Sequence, residues 1–223
     1  MSSDRTAFHG WQSQPNFVLI DLHTDHVQAN GFVENDPGST MARSNDVILV
    51  VDVESTCWEH SPPEGQTSEI IEVGLCPVDV ATLTRREKCS ILVKPAMSEI
   101  STFCTGLTTL QTDMFTEAGS LQDAVSTLRR KYRSRDRLWA SWGDYDRRQF
   151  ERVCQLQEVS YPFGPSHLNV KSLFAVANGQ YESGLDDAFQ QLDWTMEGTH
   201  HRGHDDAWNI AGILCELLRR MRT

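Results

Sequence analysis

The run Val47-Ile-Leu-Val-Val-Asp52-Val-Glu54 constrains this chain more than any other stretch. Its first five residues are apolar and mostly β-branched, the pattern of a central strand buried on both faces. Five residues are far too few to cross a bilayer. Two acids are set into this strand, two residues apart. Successive side chains of an extended strand point to opposite faces, so Asp52 and Glu54 project from the same one. A strand of this kind must be covered on both sides, which requires helices and a sizeable core. A chain of 223 residues with 39% hydrophobic content can supply them in one domain.

The sequence around this strand predicts its partners. Ser68-Glu-Ile-Ile-Glu-Val-Gly-Leu-Cys76 reads as a second strand and Glu87 to Val93 as a third. Turn-rich stretches at Ser61-Pro-Pro-Glu-Gly65 and from Pro77 to Thr84 separate them, which predicts an antiparallel meander. Leu138 to Trp142 is a short buried strand. Helical periodicity covers residues 119–132, Asp146 to Gln157, Leu185 to Leu192 and Asp205 to Met221, the last with Ile210, Ile213, Leu214, Leu217 and Leu218 as its stripe. A meander followed by alternating strands and helices predicts an α/β fold with a mixed sheet. Residues 1–45 differ: Asn16 to Leu22 and Val27 to Val33 have strand character, followed by the linker chemistry of Glu34-Asn-Asp-Pro-Gly-Ser-Thr40. The expected organisation is an N-terminal arm or hairpin with a flexible linker over 1–45 and the main domain over 46–223.

An apolar strand has no packing reason to hold two like charges side by side. Adjacent carboxylates raise at least one pKa unless a cation neutralises them, and Mg²⁺ or Mn²⁺ does this while keeping several waters. Alone, Asp-x-Glu is also what a solvated strand end looks like. Further acids occur where a strand passes into a helix, Trp142-Gly-Asp144-Tyr-Asp146, and where the final helix opens, His200-His201-Arg-Gly-His204-Asp205-Asp206. Carboxylates at such positions can converge and hold two metal ions about 3.5–4 Å apart for phosphoryl displacement. A nearby imidazole suits a general base at neutral pH. Zinc at His200, His201 and His204 is the competing assignment, helped by the i, i+4 spacing of His200 and His204, but no cysteine pair or His-Glu-x-x-His supports it; otherwise His200 and His204 read as plain surface histidines. The six cysteines form no Cys-x-x-Cys pair and read as reduced thiols in a cytoplasmic protein, and Met1-Ser-Ser-Asp-Arg5 opens no export signal.

Asp52-Val-Glu-Ser-Thr-Cys-Trp58, then Glu69-Ile-Ile-Glu72-Val-Gly, Ser101-Thr-Phe-Cys-Thr-Gly-Leu-Thr108, Tyr145-Asp146 and the closing His201-x-x-x-Asp-Asp206 together resemble the DEDDh 3′-to-5′ exonucleases. Within them the chain looks most like the branch of histone-mRNA and small-RNA-trimming enzymes. The resemblance covers about residues 46–221 and implies a ribonuclease H-like fold with a five-stranded mixed sheet flanked by helices. It implies metal-dependent 3′-to-5′ hydrolysis of single-stranded nucleic acid, RNA favoured over DNA, to nucleoside 5′-monophosphates. Carried over position by position, it makes Asp52, Glu54, Asp146 and Asp206 the ligands of two Mg²⁺ or Mn²⁺ ions and His201 the general base. It selects Asp146 over Asp144 and pairs His201 with Asp206. It places Thr56, Trp58, Phe103, Leu107 and Tyr145 against the terminal nucleotide, although Phe103 and Leu107 also suit core packing. Gly184-Leu-Asp-Asp-Ala188 has a similar look without a preceding histidine and is assigned to structure, in mid-helix. Thr109 stands where the family often has glycine. A DNA exonuclease and a weakly active binding module remain as alternatives.

The charge balance limits what can be held. The chain has 31 acidic residues against 20 Lys and Arg, a net charge of −11. A protein that only grips phosphates is usually basic. The dense basic run Arg129 to Arg137 reads as a solvated helix end with favourable dipole placement rather than a phosphate track. Contact with a few nucleotides at a single-stranded 3′ end is expected, with no membrane partner.

Overall fold

The computed structural model describes residues 46–223, so the arm or hairpin expected over 1–45 lies outside the described residues. The elements run β1 (Val47–Ser55), β2 (Ile70–Asp79), β3 (Thr84–Arg85), β4 (Cys89–Leu92), α1 (Thr102–Thr108), α2 (Leu121–Lys131), β5 (Leu138–Ser141), α3 (Tyr145–Leu156), β6 (His167–Asn169), α4 (Val170–Ala177), α5 (Leu185–Leu192) and α6 (Gly203–Met221).

These strands form one mixed sheet in the order β3-β2-β1-β5-β6, with β4 also on β2. β1 is antiparallel to β2 and parallel to β5. The sheet has six strands, where five were expected. The outer strand of the meander is divided: β4 pairs with Glu72–Leu75 of β2 and β3 with Val78–Asp79. Pro77, expected in a turn, lies inside β2 at the gap between these two ladders. A proline is tolerated where a ladder is interrupted. His167–Asn169 extends the other edge.

The alternation of β1 divides the core. Val47, Leu49, Val51 and Val53 pack with Val125 and Leu128 of α2 and Phe150 and Val153 of α3. Ile48 and Val50 pack on the opposite face with α4, α5 and α6. Asp52 and Glu54 therefore emerge on the α6 face, just beyond its apolar floor. A β-bulge follows: Glu54 pairs with Glu72 but Ser55 with Ile70. The skipped Ile71 enters a small cluster with Cys104, Leu110 and Phe115 beneath α1. Bulges re-aim a strand, often beside active sites.

Among the described residues no helix is long and apolar enough to cross a membrane. All six cysteines are free.

Candidate active site

The cleft is built where three elements meet at the end of β1. It encloses about 330 Å³ and is lined by Asp52, Val53, Glu54, Trp142, Tyr145, Asp146, Leu185, His200, His201 and Asp206. Carboxylate oxygens of Asp52, Glu54 and Asp206 lie within 4.8 Å of one another.

Asp206 arrives in the first turn of α6, which is seated directly on the sheet. Asp52 pairs with Gly74 of β2, and a Cβ on Gly74 would stand 1.8 Å from the carbonyl carbon of Gly203. Behind this contact lies Glu72, fully buried. It accepts hydrogen bonds from the Gly203 N–H (3.1 Å) and Arg202 Nε (3.2 Å), and meets His204 Nδ1 at 2.8 Å. Burial alone would raise its pKa, but bonds from Arg202, Ser90 and His204 hold it below the usual range. Glu69, equally buried, accepts from the backbone N–H groups of Ala96, Met97 and Ser98. The two glutamates of Glu-Ile-Ile-Glu thus fasten one loop and one helix start.

The family resemblance selects Asp146 over Asp144 and Asp206 over Asp205, and in the fold the members of each pair face different surroundings. Asp205 turns away from the cleft to Lys88 Nζ (2.6 Å) and the Thr199 N–H (2.8 Å). Asp206 is buried and accepts from the His201 N–H at 2.9 Å, with His200 Nδ1 at 3.1 Å from both its oxygens. Asp144 faces Arg147 and Arg148, whereas Asp146 is buried and accepts the Val53 N–H at 2.9 Å.

His201 has φ +63°, and its ring stacks on His200 with centroids 3.9 Å apart. The reading of His200 and His204 as plain surface residues is corrected: both are half-buried and each faces a carboxylate. The decoy segment opens α5 rather than lying mid-helix. Asp187 accepts the Gly184 N–H, but Leu185 walls the cleft and Asp186 Oδ2 stands 3.6 Å from His200 Nε2. Leu185 and Trp142 were missed as site residues because no local spacing marks them, and among site roles His200 was weighed only as a zinc ligand.

The candidate substrate contacts divide. Thr56 is fully buried; its hydroxyl donates to the Thr67 carbonyl (3.1 Å) and accepts the Glu69 N–H (2.9 Å), so it closes the strand end and faces no substrate. Tyr145 lines the cleft and is exposed, and Trp58 is half-buried. Phe103 and Leu107 are 43% and 40% exposed, which removes core packing as their role. Their helix is tied to the end of β1 by Ser101 Oγ to the Cys57 carbonyl and Cys104 Sγ to the Ser55 carbonyl.

The electrostatics describe a site built for a cation. Asp52 is raised well above the carboxylate range by burial, then by Asp146, Glu54, Asp206 and Glu72. Burial, then Asp206, Glu72 and Asp146, push Glu54 up to about 9. Burial raises Asp146 to about 6 against the Val53 N–H, and raises Asp206 against its bond from His200. Hard divalent ions take oxygen donors of this kind. Burial, and then His200 beside it, lower the pKa of His201, so its ring is neutral and able to accept a proton at pH 7.

The Exonuclease (RNase_T) family model matches residues 49–214. The Drosophila melanogaster 3′-5′ exonuclease Snipper is 26% identical over 198 residues, 77% of this chain and 69% of that protein. Human 3′-5′ exoribonuclease 1 is 27% identical over 187 residues, which cover 78% of this chain and 53% of that protein; the chain spans about half its length. Among solved structures, the nuclease domain of 3′hExo, a DEDDh family member bound to rAMP, matches with a TM-score of 0.72 at 26% identity, over 78% of this chain and 92% of that one.

Proposed function

The chain belongs to the Exonuclease (RNase_T) family, and on that footing we propose that it removes nucleotides from the 3′ end of single-stranded RNA as 5′-monophosphates. The convergence of Asp52, Glu54 and Asp206 beside a neutral histidine carries this reading. RNA is favoured over DNA by the name of the human relative. The free thiols fit a reducing, cytoplasmic setting.

Asp52, Glu54, Asp146 and Asp206 would hold Mg²⁺ or Mn²⁺, and the raised carboxylate pKa values support a divalent occupant. Bound there, two such ions would lower the pKa of a water and neutralise charge on a phosphate. His201 takes the proton of the attacking water at its ring nitrogen. The His201 N–H and the His200 ring fix the Asp206 carboxylate. Tyr145, Phe103 and Leu107 offer exposed surfaces to an unpaired terminal base, where aromatic stacking is worth about 1–3 kcal/mol per base and is indifferent to sequence.

The test is incubation of 5′-labelled RNA and DNA oligomers, single- and double-stranded, with Mn²⁺ and with EDTA. A ladder shortening from the 3′ end of single-stranded RNA, abolished by EDTA, is expected. Equal or better cleavage of DNA would replace RNA as substrate, and a ladder that persists in EDTA would refute the metal assignment.

A further inference from the structure

A second cavity, of about 620 Å³, lies beside α3 and is lined by Gly65, Thr67, Met97, Arg152, Gln155 and Leu156. Arg152 is held there entirely by neutral acceptors. Its Nε and Nη2 donate to Gln149 Oε1 at 3.3 and 3.0 Å, Nη1 to Thr67 Oγ1 at 3.1 Å, and Nη2 also to the Ser68 carbonyl. No carboxylate of the described residues lies within 4.0 Å of it, although Arg147 and Arg148 on the same helix both pair with Asp144. These contacts occupy four of the five guanidinium N–H groups, and the one Nη1 hydrogen left over, on a cation with no carboxylate partner beside an open cavity, suits a single oxygen of an anion.

The surroundings are rigid and continuous with the catalytic strand. Gln149 Nε2 donates to Ser55 Oγ at 2.9 Å, and Ser55 directly follows Glu54. Tyr145, Gln149, Arg152 and Leu156 fall on one stripe of α3, so Arg152 stands two turns, about 10 Å, along the helix from the tyrosine that lines the cleft. Across the cavity, the backbone of Met97 is pinned by Glu69. Met97 and Leu156 expose 48% and 46% of their surface. Apolar side chains beside a fixed cation form a surface for a base and its phosphate, and methionine adapts to either ring size.

We propose that this notch is a second binding subsite for single-stranded nucleic acid, holding a nucleotide upstream of the one being removed. Arg152 takes a backbone phosphate and Met97 with Leu156 packs against the base. The inference rests on the 3′-exonuclease reading of the cleft. One fixed cation in a chain of net charge −11 restricts the strand held to a few nucleotides.

The experiment compares the full chain with Arg152→Gln and Leu156→Asp on a dinucleotide and an octanucleotide RNA. It also measures anisotropy of a labelled octanucleotide in Ca²⁺, which reads binding without turnover. Both variants are expected to lose about tenfold more kcat/KM on the octanucleotide than on the dinucleotide, as loss of a charged contact implies. Arg152→Gln should also flatten the salt dependence of octanucleotide binding by about 0.7 in log–log slope. Leu156→Asp puts a carboxylate one turn from Arg152, where it pairs with the guanidinium and cancels its charge without truncating it, so it serves if the first variant misfolds. Equal losses at both lengths, or none, overturn the subsite while the proposed activity stands. A wild-type chain that cleaves neither oligomer refutes the activity, and anisotropy still decides the subsite. Displacement of the octanucleotide by polyglutamate at equal charge would overturn the proposal in favour of an acidic peptide.

Discussion

Gly74 of β2 and Gly203 at the start of α6 are in backbone contact: a Cβ added to Gly74 would lie 1.8 Å from the carbonyl carbon of Gly203. Gly74 pairs with Asp52, and Gly203 precedes Asp206 by three residues, so this contact sets the distance between two carboxylates of the cleft. Neither neighbour is a flexible side chain that could swing away. Gly74→Ala should cost at least the upper part of the about 1–3 kcal/mol typical of overpacking. That corresponds to a Tm lower by about 6–12 °C, with divalent-ion affinity lost in parallel. Thermal melts and Mn²⁺ calorimetry check it; a variant with unchanged Tm and metal affinity would refute the contact.

The carboxylates predict a different pattern when one is neutralised. Asp52→Asn should reduce nucleotide release by about 100-fold or more, since a ligand is lost. Measured in EDTA, its Tm should equal or exceed that of the wild type, because one member of a mutually repelling cluster has gone. Asp206→Asn should lose activity likewise, with its amide oxygen still able to accept the His201 N–H. Release assays paired with melts separate the effects, and a large fall in stability in Asp52→Asn would contradict the account.

Much of the site was legible because its chemistry conflicts with packing. Two acids in an apolar strand stand out, and so does His201 five residues before Asp206. Neither of the glutamates at 69 and 72 announces its work, because the groups they fasten lie at 96–98 and 202–204, far along the chain. His200, Trp142 and Leu185 come from separate segments and meet only in three dimensions. Helix α1 was missed for a local reason: Thr102-Phe-Cys-Thr-Gly-Leu-Thr108 is a poor helix former. It is held by its Ser101 cap and its anchors on β1. Thr56 was carried over from the family resemblance alone, and the bulge after Glu54 accompanies its turn inward.

Thr109 offers a direct test of the one departure from the family pattern. It closes α1 in the left-handed region, φ +61°, where L-residues other than glycine are disfavoured by about 1 kcal/mol or more. Its side chain is exposed, so little packing is lost on removal. Thr109→Gly should raise stability by about 0.5–1 kcal/mol, about 1–4 °C in Tm. A lower Tm would show that the threonine makes a contact that outweighs the strain.

His200 and His201 should fail in different ways. His201→Ala removes the proton acceptor and should lower kcat at every metal concentration. His200→Ala removes the ring that fixes Asp206, and such supporting groups typically contribute about 10–100-fold in metal affinity. Its deficit should therefore shrink as Mn²⁺ is raised, and His200→Asn, which keeps a donor, should recover part of it. Identical Mn²⁺ profiles for the two alanine variants would mean that these roles are wrongly divided.

The raised carboxylate pKa values fix the sign of a stability change with pH. Glu54 moves from 4.5 in the unfolded chain to about 9, and Asp146 from 3.8 to about 6. Between those limits the folded protein binds more protons than the unfolded one, so stability falls as pH rises. The contribution present below about pH 4 is lost as pH passes first through 6 and then through 9. A divalent ion replaces those protons and reverses the trend, so the stabilisation it confers should grow with pH. At about 100 times its Kd such an ion adds about 2.7 kcal/mol, roughly 5–10 °C in Tm for a chain of this size. Melts in EDTA and in Mn²⁺ between about pH 5 and pH 9 should diverge towards the alkaline end, and Glu54→Gln should flatten the EDTA curve. A Tm that does not fall with pH in EDTA would mean that the four acids do not share one cleft.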